Sequence, residues 1–269
     1  MSPLVRRSAL KWGASVLAAP LCAVDAGAAP TIVRKDQIVV SPELRALMQS
    51  PRRPDADKKR DIGRKPAEVM SFFGVKPGMT VAELMTSEGY FTAVLAEAVG
   101  DTGRVYGLNN QWLRDRFKDT KRPLASLLSK GGYKNITEVA AELEDPQLPA
   151  GQLDAVFVIW FYHDFYWMGI ERDRMNAAIM AALKPGGIYG IIDHAAAKGV
   201  EIGDVAKNHR IERFVVVDDI TQYGIQLIEE TDLLENPRDP LNVSVFQQEI
   251  RGTTNQFVLK FRKPGGTAG

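Results

Sequence analysis

The pattern of apolar and polar positions changes along the chain, and from Gly74 onward two kinds of segment alternate regularly. Compact apolar runs bounded by turn residues are typical of buried strands. They predict strands over Thr80–Leu84, Gly103–Leu108, Asn135–Ala141, Leu153–Tyr162, Ile188–Ile192, Ile225–Glu230 and Phe257–Arg262. Between them, apolar residues recur at the helical period. This second pattern predicts helices over Gly89–Val99, Gln111–Ser129 (broken at Pro123), Ile170–Leu183 and Ile211–Tyr223.

The order of these segments, in which strands and helices take turns, predicts an α/β fold. Parallel strands need a crossover connection, so such a chain builds a doubly wound, mostly parallel Rossmann-like sheet with helices on both faces. We expect about seven strands. No helix separates the last two, so we expect an antiparallel pair at one edge. The turn Lys184–Gly187 should end the helix before it, since Pro and Gly terminate helices.

Residues 30–65 are charged and interrupted by prolines, which predicts an N-terminal arm with short helices. Ser41 before Pro42 fits a helix start, because a serine side chain caps free amide groups and proline is favoured in the first turn. Another short helix is predicted from Ala67 to Phe73. The chain therefore divides into this arm, a main domain over residues 66–264 and a frayed tail over residues 265–269.

Residues 1–29 have the layout of a secretory signal peptide. Arg6 and Arg7 precede an apolar stretch from Trp12 to Val24, and small residues follow it. The paired arginines are similar to a twin-arginine export signal. The apolar stretch is shorter than the roughly 20 residues of a membrane-spanning helix. We therefore expect a periplasmic mature protein without stable membrane insertion; an amphipathic N-terminal helix is the alternative.

Composition limits the partners and the chemistry. The 269 residues are 45% hydrophobic and 25% charged, which excludes a disordered or collagen-like chain. The net charge of +1 gives no electrostatic basis for binding nucleic acid. Cys22, in the predicted leader, is the only cysteine. The mature chain would therefore have no disulfide, thiolate nucleophile or cysteine metal ligand.

Several segments resemble the class I methyltransferases that use S-adenosylmethionine (SAM). Val81–Ala93 resembles the first motif of that superfamily, and Leu183–Gly187 (LKPGG) resembles the turn before its fifth strand. Over about residues 60–264 the chain is similar to an exported group of predicted methyltransferases, in VKPGMTVAEL, FYHD, LKPGGIYGIIDHAA, HRIE and RGTTNQFVLKFRKP. The resemblance implies the class I methyltransferase fold, SAM as the cofactor and methyl transfer to a small-molecule substrate.

The same resemblance assigns the candidate cofactor-binding residues, which are Glu83, Met85, Ser87, Gly89, Tyr90 and Asn109. Glu83 stands at the acidic position of the motif and Gly89 at the last glycine of its turn. Met85 and Ser87 replace earlier glycines, so their side chains would have to lie aside from the ligand. Asn109 replaces an acid that binds ribose, which costs on the order of tenfold in affinity. A turn with a structural role only is the alternative.

The catalytic candidates follow two of the predicted strands and open a later helical region; they are Tyr162, His163, Asp164, Asp193, His194 and His209. The carboxyl ends of strands face the ligand crevice of an open α/β sheet, so we expect these residues beside the first turn. Histidine–acid pairs suit general acid–base chemistry. They could also bind a metal ion, although no HExxH-like spacing assigns ligands. Ordinary loop or core histidines are the other interpretation.

Aromatic residues surround the first histidine, from Trp160 to Trp167. They could wall an apolar pocket, contact a sulfonium by cation–π interaction, or pack in the core. Strand alternation predicts that Trp160 and Tyr162 share one face of the sheet and Phe161 the other.

Charged residues of the arm, from Lys58 to Arg64, could form a lid that binds an anionic group, or a solvated face. Two late segments, Asn236–Asp239 and Arg251–Asn255, resemble the same exported group and predict turns and contacts with substrate.

Three functions stay open from the sequence. The leading one is SAM-dependent methyl transfer to a small molecule. The second is an exported enzyme that keeps the fold without SAM and uses the histidine–aspartate edge, with or without a metal ion. The third is a non-catalytic periplasmic ligand-binding protein.

Overall fold

The computed structural model describes residues 29–116, 124, 127, 128 and 132–265. In these residues eight strands form one sheet, in the order β1-β7-β8-β6-β5-β2-β3-β4. The strands are β1 Thr31–Val33, β2 Thr80–Leu84, β3 Arg104–Leu108, β4 Ile136–Val139, β5 Leu153–Ile159, β6 Leu183–His194, β7 Gln226–Thr231 and β8 Gln256–Arg262. Only β8 runs against its neighbours, β6 and β7. The predicted fold class is therefore confirmed, antiparallel pair included.

The helices of this part of the chain are α1 Pro42–Met48, α2 Asp55–Arg64, α3 Pro66–Phe73, α4 Tyr90–Val99, α5 Gln111–Arg116, α6 Asp164–Trp167, α7 Arg172–Ala182, α8 Ile202–Asn208 and α9 Arg213–Thr221. The predicted start of α1 is confirmed, because Ser41 Oγ accepts a hydrogen bond of 3.1 Å from the Leu44 amide. The predicted leader with Cys22, most of the predicted helix beyond Arg116 and the tail after Gly265 lie outside the described residues.

The sheet differs from the prediction at β1, at the start of β6 and at the end of β5, which stops at Ile159 instead of Tyr162. The eighth strand, β1, comes from the arm, where only helices were predicted, and pairs in parallel with β7. Its three residues are too few and too exposed to produce an alternating pattern. The second difference is β6, which already begins at Leu183 instead of Ile188. The LKPGG turn lies within it as an irregularity, since Leu153 pairs with Leu183 and Ala155 with Ile188.

Two apolar clusters cover the two faces of the sheet. Alternate residues of β5 point to opposite sides, with Phe157 in one cluster and Val158 in the other. At Gly190 of β6 the packing leaves no space for a side chain, because the Phe157 and Phe73 rings lie against the strand. No helix among the described residues is long and apolar enough to cross a membrane.

We predict that Gly190→Ala destabilises the sheet. The added Cβ would lie 2.6 Å from a Phe157 ring atom and 2.8 Å from Phe73. We expect the free energy of unfolding, measured in urea, to fall by about 1–3 kcal/mol. The matched control is Gly203→Ala in α8, where no atom lies within 4 Å of an added Cβ. It should leave the stability unchanged or raise it by up to about 1 kcal/mol; equal losses for both variants would contradict this packing.

Candidate functional site

The turn between β2 and α4 has a backbone that favours glycine at three positions. Met85, Ser87 and Gly89 have φ angles of 59°, 48° and 74°. Such left-handed angles cost a residue with a side chain roughly 1–2 kcal/mol. The two residues that replace glycines therefore still adopt the conformation that glycine accepts readily, at the carboxyl edge of the sheet.

Hydrogen bonds from the neighbouring strand hold this turn. The Met85 amide donates to the Leu108 carbonyl over 2.7 Å. Asn109 Oδ1 accepts from Thr86 Oγ1 over 3.0 Å and from the Ser87 amide over 3.3 Å. The Met85 side chain is buried in the apolar cluster on one face of the sheet. Met85 thus lies aside from the crevice, and Asn109, a candidate ribose ligand, uses its carbonyl oxygen to hold the turn.

Glu83 lies at the end of β2 with only 4% of its surface exposed. Its Oε2 accepts a hydrogen bond of 2.5 Å from Thr92 Oγ1. Burial raises the pKa of Glu83 to about 8, and the Thr92 bond and the Arg64 charge oppose this shift. The carboxyl group is therefore largely protonated at neutral pH, although a cation bound beside it would favour its ionised form.

The arm helix α2 packs over the start of α4. The Tyr90 hydroxyl donates to Asp61 Oδ1 over 2.5 Å, and the guanidinium of Arg53 makes two bonds to the same carboxylate. The Arg64 guanidinium lies 4.2 Å from the centre of the Tyr90 ring and 4.4 Å from that of Trp160. Asp61 and Arg64 of the predicted charged cluster therefore cover the turn, whereas Lys59 of the same cluster is exposed.

Arg64 is a positive charge without an ion-pair partner within the described ranges. Burial, together with the charge of Arg60, lowers the pKa of Arg64 to about 10, which still leaves it charged at neutral pH. A half-buried cation between two aromatic rings, next to the turn, can attract an anionic group of a ligand. The sequence placed Arg64 in a charged run, but its position between Tyr90 and Trp160 depends on the packing of α2.

The histidine–acid pairs meet at the ends of β5 and β6. The amide of His163 donates to Asp193 Oδ2 over 2.8 Å, and its Nδ1 lies 2.7 Å from Asp193 Oδ1. On the other side of the ring, Nε2 lies 2.9 Å from Asp164 Oδ1 and 3.2 Å from His209 Nδ1. His209 Nδ1 is also 2.9 Å from Asp164 Oδ1. His163, Asp164 and His209 thus bring three ligand atoms together that could hold a metal ion.

The environment shifts the pKa values of His163 and His194 in opposite directions. Burial disfavours charge on His163, but the carboxylates of Asp193 and Asp164 outweigh it and raise its pKa to about 10. Bonds from His163 and His209 hold the pKa of Asp164 well below its usual range despite burial. Burial lowers the pKa of His194 to about 3. His163 can therefore donate from both ring nitrogens, whereas His194 is neutral at pH 7.

His194 lies beside this cluster with different partners. Its Nδ1 is 2.8 Å from Thr254 Oγ1, and its ring stacks on Trp160 with centroids 6.0 Å apart. The late segment Arg251–Asn255, predicted to form a turn, thereby supplies a direct contact of a candidate histidine.

The hydroxyl group of Tyr162 does not contact the histidines. The side chain is fully buried, and its hydroxyl donates to Asp219 Oδ2 over 3.2 Å. The prediction that Trp160 and Tyr162 share one face of the sheet is wrong, because Trp160 packs on the face opposite to that of Tyr162. The strand already ends at Ile159, and Trp160 has a φ of 60°, so the alternation of faces stops there.

A buried ion pair behind the histidines was missed by the sequence analysis. Arg210 is fully buried, and its guanidinium donates to both carboxylate oxygens of Asp239 over 2.8 Å. It also donates to the carbonyl of Ala195, just after β6. Asp239 accepts a further bond from the Asn255 amide. The signal was present in the HRIE segment and the late segments, whose mutual contact only the fold shows.

Comparisons with known proteins agree with this fold. No family model matches the chain. The chain is 28% identical over 119 residues to the ubiquinone/menaquinone biosynthesis C-methyltransferase UbiE of Shewanella halifaxensis. That alignment covers 42% of this chain and 42% of the relative, so the chain matches less than half the length of that relative.

Solved structures match over more of the chain. A SAM-dependent methyltransferase from Aquifex aeolicus superposes with a TM-score of 0.56 and 19% identity, covering 77% of this chain and 95% of that one. The cyclase SpnF superposes with a TM-score of 0.55 and 14% identity, covering 76% and 81%. The chain therefore has the fold of the class I methyltransferases, and a cyclase shares that fold.

We predict that Asp239→Asn destabilises the protein strongly, because it leaves the buried Arg210 charge without its counter-ion. The free energy of unfolding in urea should fall by about 3–5 kcal/mol. The matched control is Glu230→Gln, which removes the partner of Arg213 from a pair whose arginine side chain is 38% exposed. That loss should stay below about 1 kcal/mol. Comparable effects in both variants would contradict the distinction.

We predict a pH-dependent effect of Glu83→Gln on stability. The carboxyl group ionises at about pH 4.3 in an unfolded chain, whereas burial delays this to about pH 8 in the folded protein. Between these values only the unfolded state loses the proton, so wild-type stability falls as pH rises. The variant should gain stability relative to wild type over this range, by on the order of 5 kcal/mol at pH 8. A difference that is constant between pH 5 and pH 8 would contradict a buried, protonated Glu83.

Proposed function

We propose that the protein is an exported enzyme that transfers a methyl group from SAM to a small molecule. The observation that carries this proposal is the β2–α4 turn, which keeps a glycine-like backbone at Met85 and Ser87 on the carboxyl edge of a methyltransferase fold. Ligands of open α/β sheets bind at that edge. The leader pattern supports export, and the small net charge favours a small molecule over nucleic acid.

The residues around the turn fit the charges of SAM. SAM carries a sulfonium and an ammonium group, and Glu83 is the buried carboxyl group beside the turn. SAM also carries a carboxylate, for which Arg64 offers a cation without a protein partner in the described part of the chain. Gly89 and Tyr90 begin the helix that follows the turn. SAM supplies the electrophilic methyl group when it is bound.

The histidine edge would handle the methyl acceptor. In the transfer, a lone pair of the acceptor forms the new bond to the methyl carbon, and the bond between carbon and sulfur breaks with its electrons going to sulfur. A protonated acceptor must also lose a proton. His194, which is neutral at pH 7, could accept a hydrogen bond from that group while the proton passes to water. His163, held between two carboxylates, would keep this edge of the crevice in place. In-line positioning would supply most of the rate.

Calorimetric titration of SAM into residues 30–269 tests the cofactor, and we expect a Kd in the micromolar range. Glu83→Gln should weaken binding by about tenfold above pH 8, because a charged partner is replaced by a neutral one. The matched control is Glu88→Gln, an acid of the same turn whose side chain is 57% exposed; its Kd should stay within about twofold. If millimolar SAM produces no heat of binding, the proposal is overturned. That result would favour an enzyme that keeps the fold without SAM, or a ligand-binding protein.

A further inference from the structure

We propose that His163, Asp164 and His209 bind a divalent transition metal ion of the zinc type. The ligand atoms would be His163 Nε2, Asp164 Oδ1 and His209 Nδ1. Their mutual distances are 2.9, 2.9 and 3.2 Å. Ligand atoms around a tetrahedral zinc ion, with bonds of about 2.0–2.1 Å, lie roughly 3.3 Å apart. The triangle would therefore accept the ion after an expansion of a few tenths of an ångström.

Protons alone satisfy this triangle poorly. Two ring nitrogens and an ionised carboxylate carry at most two hydrogens on the facing atoms, so at least one of the three close contacts has no hydrogen bond. If both nitrogens donate to Asp164, two N–H groups face each other across 3.2 Å. If only one nitrogen is protonated, the other nitrogen and the carboxylate direct lone pairs at each other. A cation at the centre removes the conflict, because all three atoms then direct lone pairs at it.

The surroundings of the triangle orient its members as metal ligands require. A carboxylate on the far nitrogen of a histidine fixes which nitrogen faces a metal. Asp193 takes this position, because its Oδ1 lies 2.7 Å from Nδ1 of His163. The backbone amides of His163 and His194 in turn donate to the Asp193 carboxylate. The indole of Trp167 donates to Asp164 Oδ1 over 2.9 Å. The ligand atoms are thus held in place by groups outside the triangle.

The backbone at His209 is also specialised. His209 has a φ of 53°, a left-handed angle that few residues with a side chain adopt, directly after α8. The next residue, Arg210, is anchored in the buried pair with Asp239. Strained angles persist where the surrounding structure enforces them, and they cluster at functional sites. Here the angle directs the His209 ring toward His163 and Asp164.

The site would have one open position. Three protein ligands leave the fourth corner of a tetrahedron to water or to a donor atom of a substrate, as in catalytic zinc sites. The side chain of His209 is 24% exposed, whereas those of His163 and Asp164 are 3% and 9% exposed, so His209 is the ligand nearest to solvent. The ligands lie at positions 163, 164 and 209, which explains why no compact motif indicated them. This inference does not depend on SAM binding.

Metal binding by the full chain tests the inference. After dialysis against a chelator, Zn²⁺ titration should show one equivalent bound, and Co²⁺ should give the intense visible absorption of a four-coordinate ion. His209→Ala should weaken Zn²⁺ binding by about 100-fold or more, and Asp193→Asn, which misorients His163, by about 10–100-fold. Circular dichroism should show that the partly exposed His209 variant stays folded; Asp164→Asn is a second ligand variant with nearly unchanged shape.

The matched control is His194→Gln, since His194 belongs to the same edge but bonds to Thr254. Its affinity for Zn²⁺ should stay within about threefold of the wild type. Absence of stoichiometric metal in the wild type would overturn the inference and leave a charged histidine between two aspartates. Equal affinity in wild type and His209→Ala would overturn it too. Failure of the SAM titration leaves it standing, because that titration measures another ligand.

Discussion

The architecture of the candidate site depends on one buried carboxylate, that of Asp193. It lies at the end of β6 without exposed surface, so its oxygens need partners inside the protein. The partners are the amides of His163 and His194 and the ring of His163. These bonds join the ends of β5 and β6, and they place one histidine toward Asp164 and the other toward Thr254.

A second buried charge pair ties the late part of the chain to this edge. Arg210 directly follows His209, and its pairing with Asp239 ties the loop of Asp239 to the segment that carries His209. Such a pair adds little net stability, because both charges lose their hydration. Breaking it is costly, however, so it selects one arrangement of the loops. The late segments therefore help to fix the loops that carry the histidines.

The β2–α4 turn and the histidine side of the crevice meet at Trp160. Its ring lies under Arg64, which comes from the arm, and stacks on His194. Strained backbone angles accompany both sides, at Met85 and Ser87 in the turn and at Trp160 and His209 near the histidines. A fold shared with a cyclase does not identify the reaction, so the function has to be argued from these residues.

The sequence by itself determined the α/β class and most of its elements, because apolar periodicity is a local property. It predicted β2 over the residues observed and the start of α1, and it indicated that histidine–acid pairs would lie at strand ends. It missed β1, an exposed strand of three residues, and placed Trp160 on the wrong face. Only the tertiary structure decided which side chains meet: Arg64 with Trp160, Arg210 with Asp239, and His209 with Asp164. These partners are separated by 29 or more positions, and burial forces them together only after the sheet has formed.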